Sequence, residues 1–321
     1  MVVTPPQSLE SLHGLALGDA FGDRWFQVST DEAPVELTAR RPRPGPWHWT
    51  DDTAMAYVLY QHLARHDEVV PDVLAADFAA EYTAHPGRKY GASMHQVLRR
   101  IQDGEDWRSV TSGMFEGQGS WGNGAAMRVA PLGAWFAADL AEVVEQARLS
   151  ALVTHFHPEA VAGAIAVAVA AALAARGRGG PAPERSAFLA EVADHLPESD
   201  VRSGLRTAAR LPAGTSVRHA SVVLGSGLLM SGPDTVPFAL WAAAGSLDSL
   251  PEAIWRTLEG WGDMDTTCAI AAGVVAARTG LRGVPVGWWL AREQLPPLHR
   301  YAPPVFAEID PFLYDLGPYR K

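Results

Sequence analysis

Two adjacent carboxylates, Asp51 and Asp52, stand in the stretch WHWTDDTAMAYVLYQHL at residues 47–63, directly after Thr50 and ahead of an apolar run with helical period. Like charges side by side repel, so the pair needs a reason. A helix cap supplies one, because a side-chain oxygen accepts the first unsatisfied backbone N–H groups and negative charge suits the positive helix end. Capping does not explain why the design recurs. GDMDTTCAIAAGVVAA, at 262–277, sets Asp263, Asp265 and Thr266 ahead of a second Ala/Val/Ile helix. Every donor in the two stretches is an oxygen, and hard oxygen ligands suit Mg²⁺, Mn²⁺ or Ca²⁺ rather than zinc. A divalent ion between the two helix starts neutralises the carboxylates, two ions do so more completely, and either makes a rigid site for a water nucleophile or an anionic substrate.

A third segment, FEGQGSWGNGAAMR at 115–128, spaces Gly117, Gly119, Gly122 and Gly124 around Ser120, Trp121 and Asn123. Such a loop brings backbone N–H groups close to a ligand, and if it opens a helix near Ala125 a phosphate is its natural guest. A plain Gly-rich turn is as common, and the pattern is neither a Walker loop nor GxGxxG. Phe115 and Trp121 either stack on a purine or pack the loop down. GLALGDAFGDRWF, at 14–26, carries Asp19 and Asp23 between glycines. It reads either as a Gly-permitted helix end with a solvated turn or as a loop presenting acids to a cleft. In THFHPEA, at 154–160, His155 and His157 are two apart and would not share a helical face, so a single hydrogen-bonding His155 is expected rather than a zinc pair.

The elements that must hold these groups are helical. Period-two runs bounded by turn residues are few, and apolar periodicity predicts helices over 7–20, 51–65, 71–82, 91–102, 140–153, 158–176, 185–195, 199–209, 218–230, 234–246, 250–260 and 265–279. The class is all-α. Over 321 residues, a 48% hydrophobic share is enough for a sizeable core, and we expect one domain spanning 1–321. The formal net charge of −10, without any Lys/Arg cluster, argues against a general nucleic-acid binder. The apolar stretch 160–175 is short for a bilayer and rich in alanine, so it is expected to be a core helix, with no membrane involved. One cysteine, Cys268, excludes an intramolecular disulfide and is expected to be a buried thiol. The N-terminus has neither the basic start nor the apolar segment of a secretory signal, and a cytoplasmic location is expected. Monomer is the default assembly.

In their order and approximate separations, GLALGDAFG, WTDDTAMA, EYTAHPGRKYGA (81–92), GQGSWGNGAAMRVAPLG and GDMDTTCAIAAGVVAA resemble the ADP-ribosylglycohydrolases. That family includes the dinitrogenase reductase-activating glycohydrolase and the ADP-ribosyl-acceptor hydrolases. The resemblance implies a compact, orthogonal multi-helix domain with a dinuclear centre of two Mg²⁺ (or Mn²⁺) at the bottom of an ADP-ribose cleft. It implies that Thr50, Asp51, Asp52, Asp263, Asp265 and Thr266 hold the ions. It further implies that Gly117, Gly119, Ser120, Gly122 and Asn123 wrap the diphosphate and distal ribose, that Phe115 or Trp121 meets adenine, and that His155 lies near the ribose phosphate end. The reaction implied is hydrolysis of the bond between the ribose anomeric carbon and a protein side chain, with Asp51 or Asp52 helping to position water.

One departure from the family bears on catalysis. Many relatives carry a glutamate four residues after the second glycine of GDAFG, where this chain has Phe26. Asp23 is the first substitute acid, Trp25 and Phe26 could wedge against the leaving group, and Glu32 and Glu36 lie farther along the same loop. Arginine is the preferred acceptor and serine the next, the GDRWF loop leaning to the first and WGNG with AHPGRKYGA to the second. The alternatives are a hydrolase of small esters such as O-acetyl-ADP-ribose and a non-catalytic ADP-ribose-binding protein. A prenyl-diphosphate enzyme is disfavoured, because Thr53, Ala54 and Met55 follow Asp52 where a DDxxD motif needs a third acid.

Overall fold

A computed structural model describes residues 5–28 and 33–298. Among them the only β-type pairings are two isolated bridges, Trp47 with Arg292 and Gly122 with Ser231, and the rest of the regular structure is helical. The all-α expectation holds. The helix predicted over 51–65 runs Asp51–His66 and stops at Asp67, which takes the left-handed conformation common at helix ends. The stretch predicted over 158–176 is the helix Pro158–Arg176, buried along most of its length as a core helix. Cys268 is fully buried in the helix Met264–Thr279.

Two expectations fail for local reasons. The helix predicted over 218–230 is only Val217–Leu224, because Gly225 and Gly227 take φ of 89° and 91° and turn the chain out of the helical region. Ala33–Ala39, Trp107–Ser112, Ala130–Trp135 and Val286–Ala291 are helices that the periodicity did not reveal. Each spans two turns or less, too short for a 3.6-residue period to repeat.

The packing that matters most for function joins the first helix, Pro6–Asp23, to Met264–Thr279. Gly14, Gly18 and Gly22 line one face of the first helix at intervals of four, so they stack along its axis. A Cβ on Gly14 would lie 2.8 Å from the Ala272 carbonyl oxygen, one on Gly18 would lie 2.2 Å from that of Cys268, and one on Gly22 would lie 2.2 Å from that of Met264. The partner numbers fall as the glycine numbers rise, so the helices run antiparallel. The helix does end beside GDAFG, at Asp23, and the glycines also form a groove that lets a second backbone approach. The end of one helix is thereby brought against the start of the other.

Behind that junction, Phe21 meets Trp47, Trp255 and Trp288 at ring-centroid distances of 5.1, 5.0 and 4.5 Å. The Pro-rich stretch 39–49 is anchored there. Trp47 N–H donates to the Ala291 carbonyl at 2.7 Å, and its own carbonyl accepts from Glu293 N–H at 2.8 Å. With its entry held, the chain runs straight from this stretch into the Asp51–His66 helix.

Candidate metal centre and ligand cleft

Asp19 sits in the last turn of the first helix and is fully buried. Its carboxylate accepts from Thr50 N–H (2.9 Å), Thr50 O–H (2.9 Å), Thr53 N–H (3.1 Å) and Thr53 O–H (2.5 Å). The N-cap residue Thr50 therefore does not use its hydroxyl to cap the backbone of its own helix. Its Oγ1 lies between Asp19 and Asp52, at 3.1 Å from Asp52 Oδ2. Local capping is thus not the function of Thr50; it ties two acidic elements together.

The glycine groove places Asp265 beside this pair. One oxygen each of Asp19, Asp52 and Asp265 lies within 4.8 Å of the others. Burial raises the pKa of all the acids around this point. Asp19 rises to about 6, burial outweighing its four hydrogen bonds, while Asp51 and Asp52 rise through burial and then through the charge of Asp19. Asp265 rises through burial and the neighbouring Asp263, and Asp263 itself rises mainly through burial. Asp52 Oδ1 is buried without a hydrogen-bond partner. A buried acceptor left in that state is costly, and several carboxylates crowded out of water are costlier still. A hard divalent cation would remove both costs, so the donor set fits Mg²⁺ or Mn²⁺.

Asp51, Asp52, Asp263, Asp265 and Thr266 form the acidic wall of a cleft of about 550 Å³, whose other walls include Phe115, Ser120, Trp121, Gly122, Asn123 and His155. Most of the residues singled out from sequence meet here. Asn123 couples the loop to the acids, donating from Nδ2 to Asp263 Oδ2 at 2.7 Å and lying 3.0 Å from Thr235 Oγ1. Phe115 and Trp121 are 55% and 52% exposed, so each ring keeps about half of its surface uncovered, Trp121 meeting His157 edge-on at 6.2 Å. Both face the cleft with uncovered aromatic surface. Gly117 and Gly119 are outside the cleft wall and act by conformation, with φ of 86° and 77°. Phe115 and Glu116 share the left-handed region at φ of 51° and 59°, a costly geometry for side-chain-bearing residues.

The loop does not open a helix near Ala125. Asn123–Ala125 is one 3₁₀ turn, and the next helix begins only at Ala130. An anion here would meet loop N–H groups and side chains rather than a helix dipole. His155 is buried beneath the loop, with Nε2 at 3.2 Å from where a Cβ on Gly122 would lie and 2.9 Å from one on Gly124. His157 is separate and caps its own helix, accepting from Glu159 N–H at 3.1 Å.

A smaller cavity of about 360 Å³ adjoins the acidic centre across Thr50 and Lys89, lined also by Asp23, His48, Trp49, His85, Gly87 and Arg88. Asp23 lies here, outside the main cleft, in an ion pair with Lys89. Arg88 stacks over Trp49 at 3.4 Å from the ring centroid and binds Glu293 through both terminal nitrogens at 2.8 and 2.7 Å. Trp25 is fully buried against Trp255 and cannot act as a wedge, whereas Phe26 is half exposed and lines neither cavity. Glu36 also lines neither, and Glu32 lies outside the described residues. Asp19, Arg88 and Lys89 were missed as site residues from sequence. Asp19 was visible between glycines, but its partners Thr50 and Thr53 are 31 and 34 residues away.

Residues 7–310 match the family model for ADP-ribosylglycohydrolase. The chain belongs to the ADP-ribosylglycohydrolase family. It is similar to human ADP-ribosylhydrolase ARH3, with 29% identity over 320 residues covering 86% of each chain. Its similarity to the Xenopus tropicalis ADP-ribosylhydrolase ARH3 is 29% over 276 residues, covering 76% of this chain and 77% of the other. A solved structure titled ADP-ribosylglycohydrolase-related protein complex superposes with a TM-score of 0.66 at 25% identity, covering 90% of this chain and 93% of that one.

Proposed function

We propose that the protein is a divalent-metal-dependent hydrolase that releases ADP-ribose from modified protein side chains. The observation that carries this reading is the convergence of Asp19, Asp52 and Asp265 beside a cleft that the Gly-rich loop and its two half-exposed aromatic rings also line. Thr50, Asp51, Asp52, Asp263, Asp265 and Thr266 would hold the ions, with Asp19 added to the set expected from sequence. Bound cations would supply charge neutralisation and Lewis acidity at the ribose. The chain's own groups do the rest. Loop N–H groups and His155 bind the diphosphate, Phe115 or Trp121 covers the adenine, and Asn123 holds Asp263 in register with the loop. Asp51 or Asp52 orients the attacking water, and remote anchoring of the nucleotide fixes the anomeric carbon before it. The bond to the acceptor then breaks through an oxocarbenium-like transition state.

The acceptor would leave on the side of the smaller cavity. Among the described residues lining it, Asp23 is the one carboxylate and Lys89 already holds it, while His48, His85 and Arg88 add basic groups. Arg88 and His48 share Glu293, and His85 pairs with Glu81, so an arriving guanidinium would find every nearby carboxylate already taken, whereas a neutral hydroxyl needs none. This supports an oxygen-linked acceptor such as serine ahead of arginine, reversing the order the GDRWF loop suggests. The same lining would admit small oxygen-linked esters of ADP-ribose.

Time-resolved mass spectrometry of serine- and arginine-ADP-ribosylated peptides, with Mg²⁺ or EDTA, tests both levels. Mg²⁺-dependent release from the serine peptide, abolished in an Asp51→Ala, Asp265→Ala double variant, is expected. Faster release from the arginine peptide would overturn the acceptor reading. No release from either, with ADP-ribose still bound, would replace hydrolysis of protein conjugates with a small ester substrate or a binding role.

A further inference from the structure

Beneath the Gly-rich loop, two buried residues that the reaction scheme above does not use, Arg128 and Thr154, stand behind His155. Arg128 is fully buried and donates from Nη2 to the Ser150 carbonyl and to Thr154 Oγ1, both at 2.8 Å. Its guanidinium also lies over the Phe78 ring at 4.4 Å. Thr154, likewise fully buried, places the same Oγ1 2.8 Å from His155 Nδ1. The other ring nitrogen of His155, Nε2, faces Gly122 and Gly124 across the cleft wall.

Proton accounting gives this chain a direction. A guanidinium can only donate, so Thr154 Oγ1 accepts from Arg128. The hydroxyl has a single proton of its own, and among the described residues His155 Nδ1, at 2.8 Å, is the acceptor within its reach. If His155 Nδ1 carried a proton, the hydroxyl would accept twice and its own proton would be stranded in a dry interior, at the cost of an unmade hydrogen bond. The satisfied arrangement runs Arg128 to Thr154 to His155 Nδ1. The imidazole proton then resides on Nε2.

Accepting the reading of the cleft as an ADP-ribose site, we infer that Thr154, oriented by Arg128, is a positioning residue that fixes His155 as the Nε2–H tautomer and aims that proton at the ligand's diphosphate. A ring free to switch tautomer would at times present a lone pair to an anion, and repulsion would replace a hydrogen bond. Burial, with Arg128 beside it, also lowers the His155 pKa to about 3, which keeps the ring neutral with one definite donor. Arg128 itself is drawn down by burial only to about 9 and stays a cation at neutral pH.

The test is long-range ¹H–¹⁵N correlation spectroscopy of the histidine side chains in the full chain, with the His155 signals assigned from a His155→Gln variant. The wild type should show His155 with a protonated Nε2 and a hydrogen-bonded, unprotonated Nδ1. Thr154→Val, nearly isosteric, should lose that signature and weaken ADP-ribose binding about tenfold by calorimetry, the size expected for one hydrogen bond to a charged group. Thr154→Ser, which keeps the hydroxyl, should restore both, and unchanged thermal unfolding of the serine variant separates the effect from a general loss of packing. An unaltered tautomer in Thr154→Val overturns the inference. So does an altered tautomer without loss of an affinity that the wild type possesses. If the wild type binds no ADP-ribose at all, the proposed function fails, and the spectra alone still decide whether Thr154 sets the tautomer.

Discussion

Asp19 and Thr50 are joined twice, by the amide and by the hydroxyl of the threonine, each at 2.9 Å, so an acid at the end of one helix is fastened to the cap of another. With the two bonds from Thr53, four donors converge on a carboxylate that has no access to water. Asp19 is thus fixed to the start of the Asp51–His66 helix by hydrogen bonds of the chain itself.

Asp19→Asn keeps the shape but offers one acceptor oxygen and an NH₂ group to donors that need acceptors. We expect unfolding free energy to fall by about 2 kcal/mol or more, the cost of leaving buried donors unpaired. Divalent-ion affinity should fall with it. Denaturant unfolding and metal titration by calorimetry measure the two losses, and a stable variant with unaltered metal binding would remove Asp19 from the centre.

Stability of the metal-free protein should decrease as pH rises from about 4 through 7. Asp19 titrates near 6 in the folded state, and Asp51, Asp52 and Asp265 are raised by burial and mutual charge, whereas all four are free to ionise lower in the unfolded chain. In this window these four carboxyls keep protons in the folded state that the unfolded chain has lost, and they outnumber the buried His13 and His155, held to about 3, which act in the opposite sense, so the slope of stability against pH is negative. Since a cation replaces those protons, the rise in Tm on adding Mg²⁺ or Mn²⁺ should be larger at pH 8 than at pH 5. Thermal unfolding with and without EDTA at both pH values reads this directly; an increment that does not grow with pH would sink the idea.

Trp121→Ala should separate binding from folding. The ring is half exposed, so unfolding should shift little, while loss of a stacking surface worth about 1–3 kcal/mol per base raises Kd for ADP-ribose roughly tenfold. Competition calorimetry against ribose 5-phosphate locates the loss: a variant weakened equally for both ligands would place Trp121 away from the adenine.

Gly18→Ala should be among the most damaging single changes in the first helix, although alanine is the better helix former. Its Cβ would lie 2.2 Å from the Cys268 carbonyl oxygen and 2.7 Å from Ala272 Cβ, and both neighbours belong to a rigid helix. We expect about 3 kcal/mol of lost stability by urea unfolding, from overpacking. Because the same contact sets the distance from Asp19 to Asp265, metal affinity should fall too. Gly179→Ala, where nothing lies within 4 Å, is strained only by its φ of 80° and is the comparison for a purely conformational cost.

What the sequence determined by itself was local. Acid types ahead of two apolar helices pointed to a cluster of oxygen donors, glycine spacing to a loop at 115–128, and 3.6-residue periodicity to the long helices, because each signal is contained in one short window. Tertiary structure alone decided that Asp19 belongs to the centre, that Asp23 pairs with Lys89 outside the main cleft, and that Trp25 is core. It also decided that Arg128 and Thr154 stand behind His155. The reason is physical. These relationships depend on how closely Gly14, Gly18 and Gly22 let one helix approach Met264–Thr279, and on side chains that meet across long separations in the chain. A residue's neighbours at such range are set by packing, and no spacing within a single stretch of sequence records them.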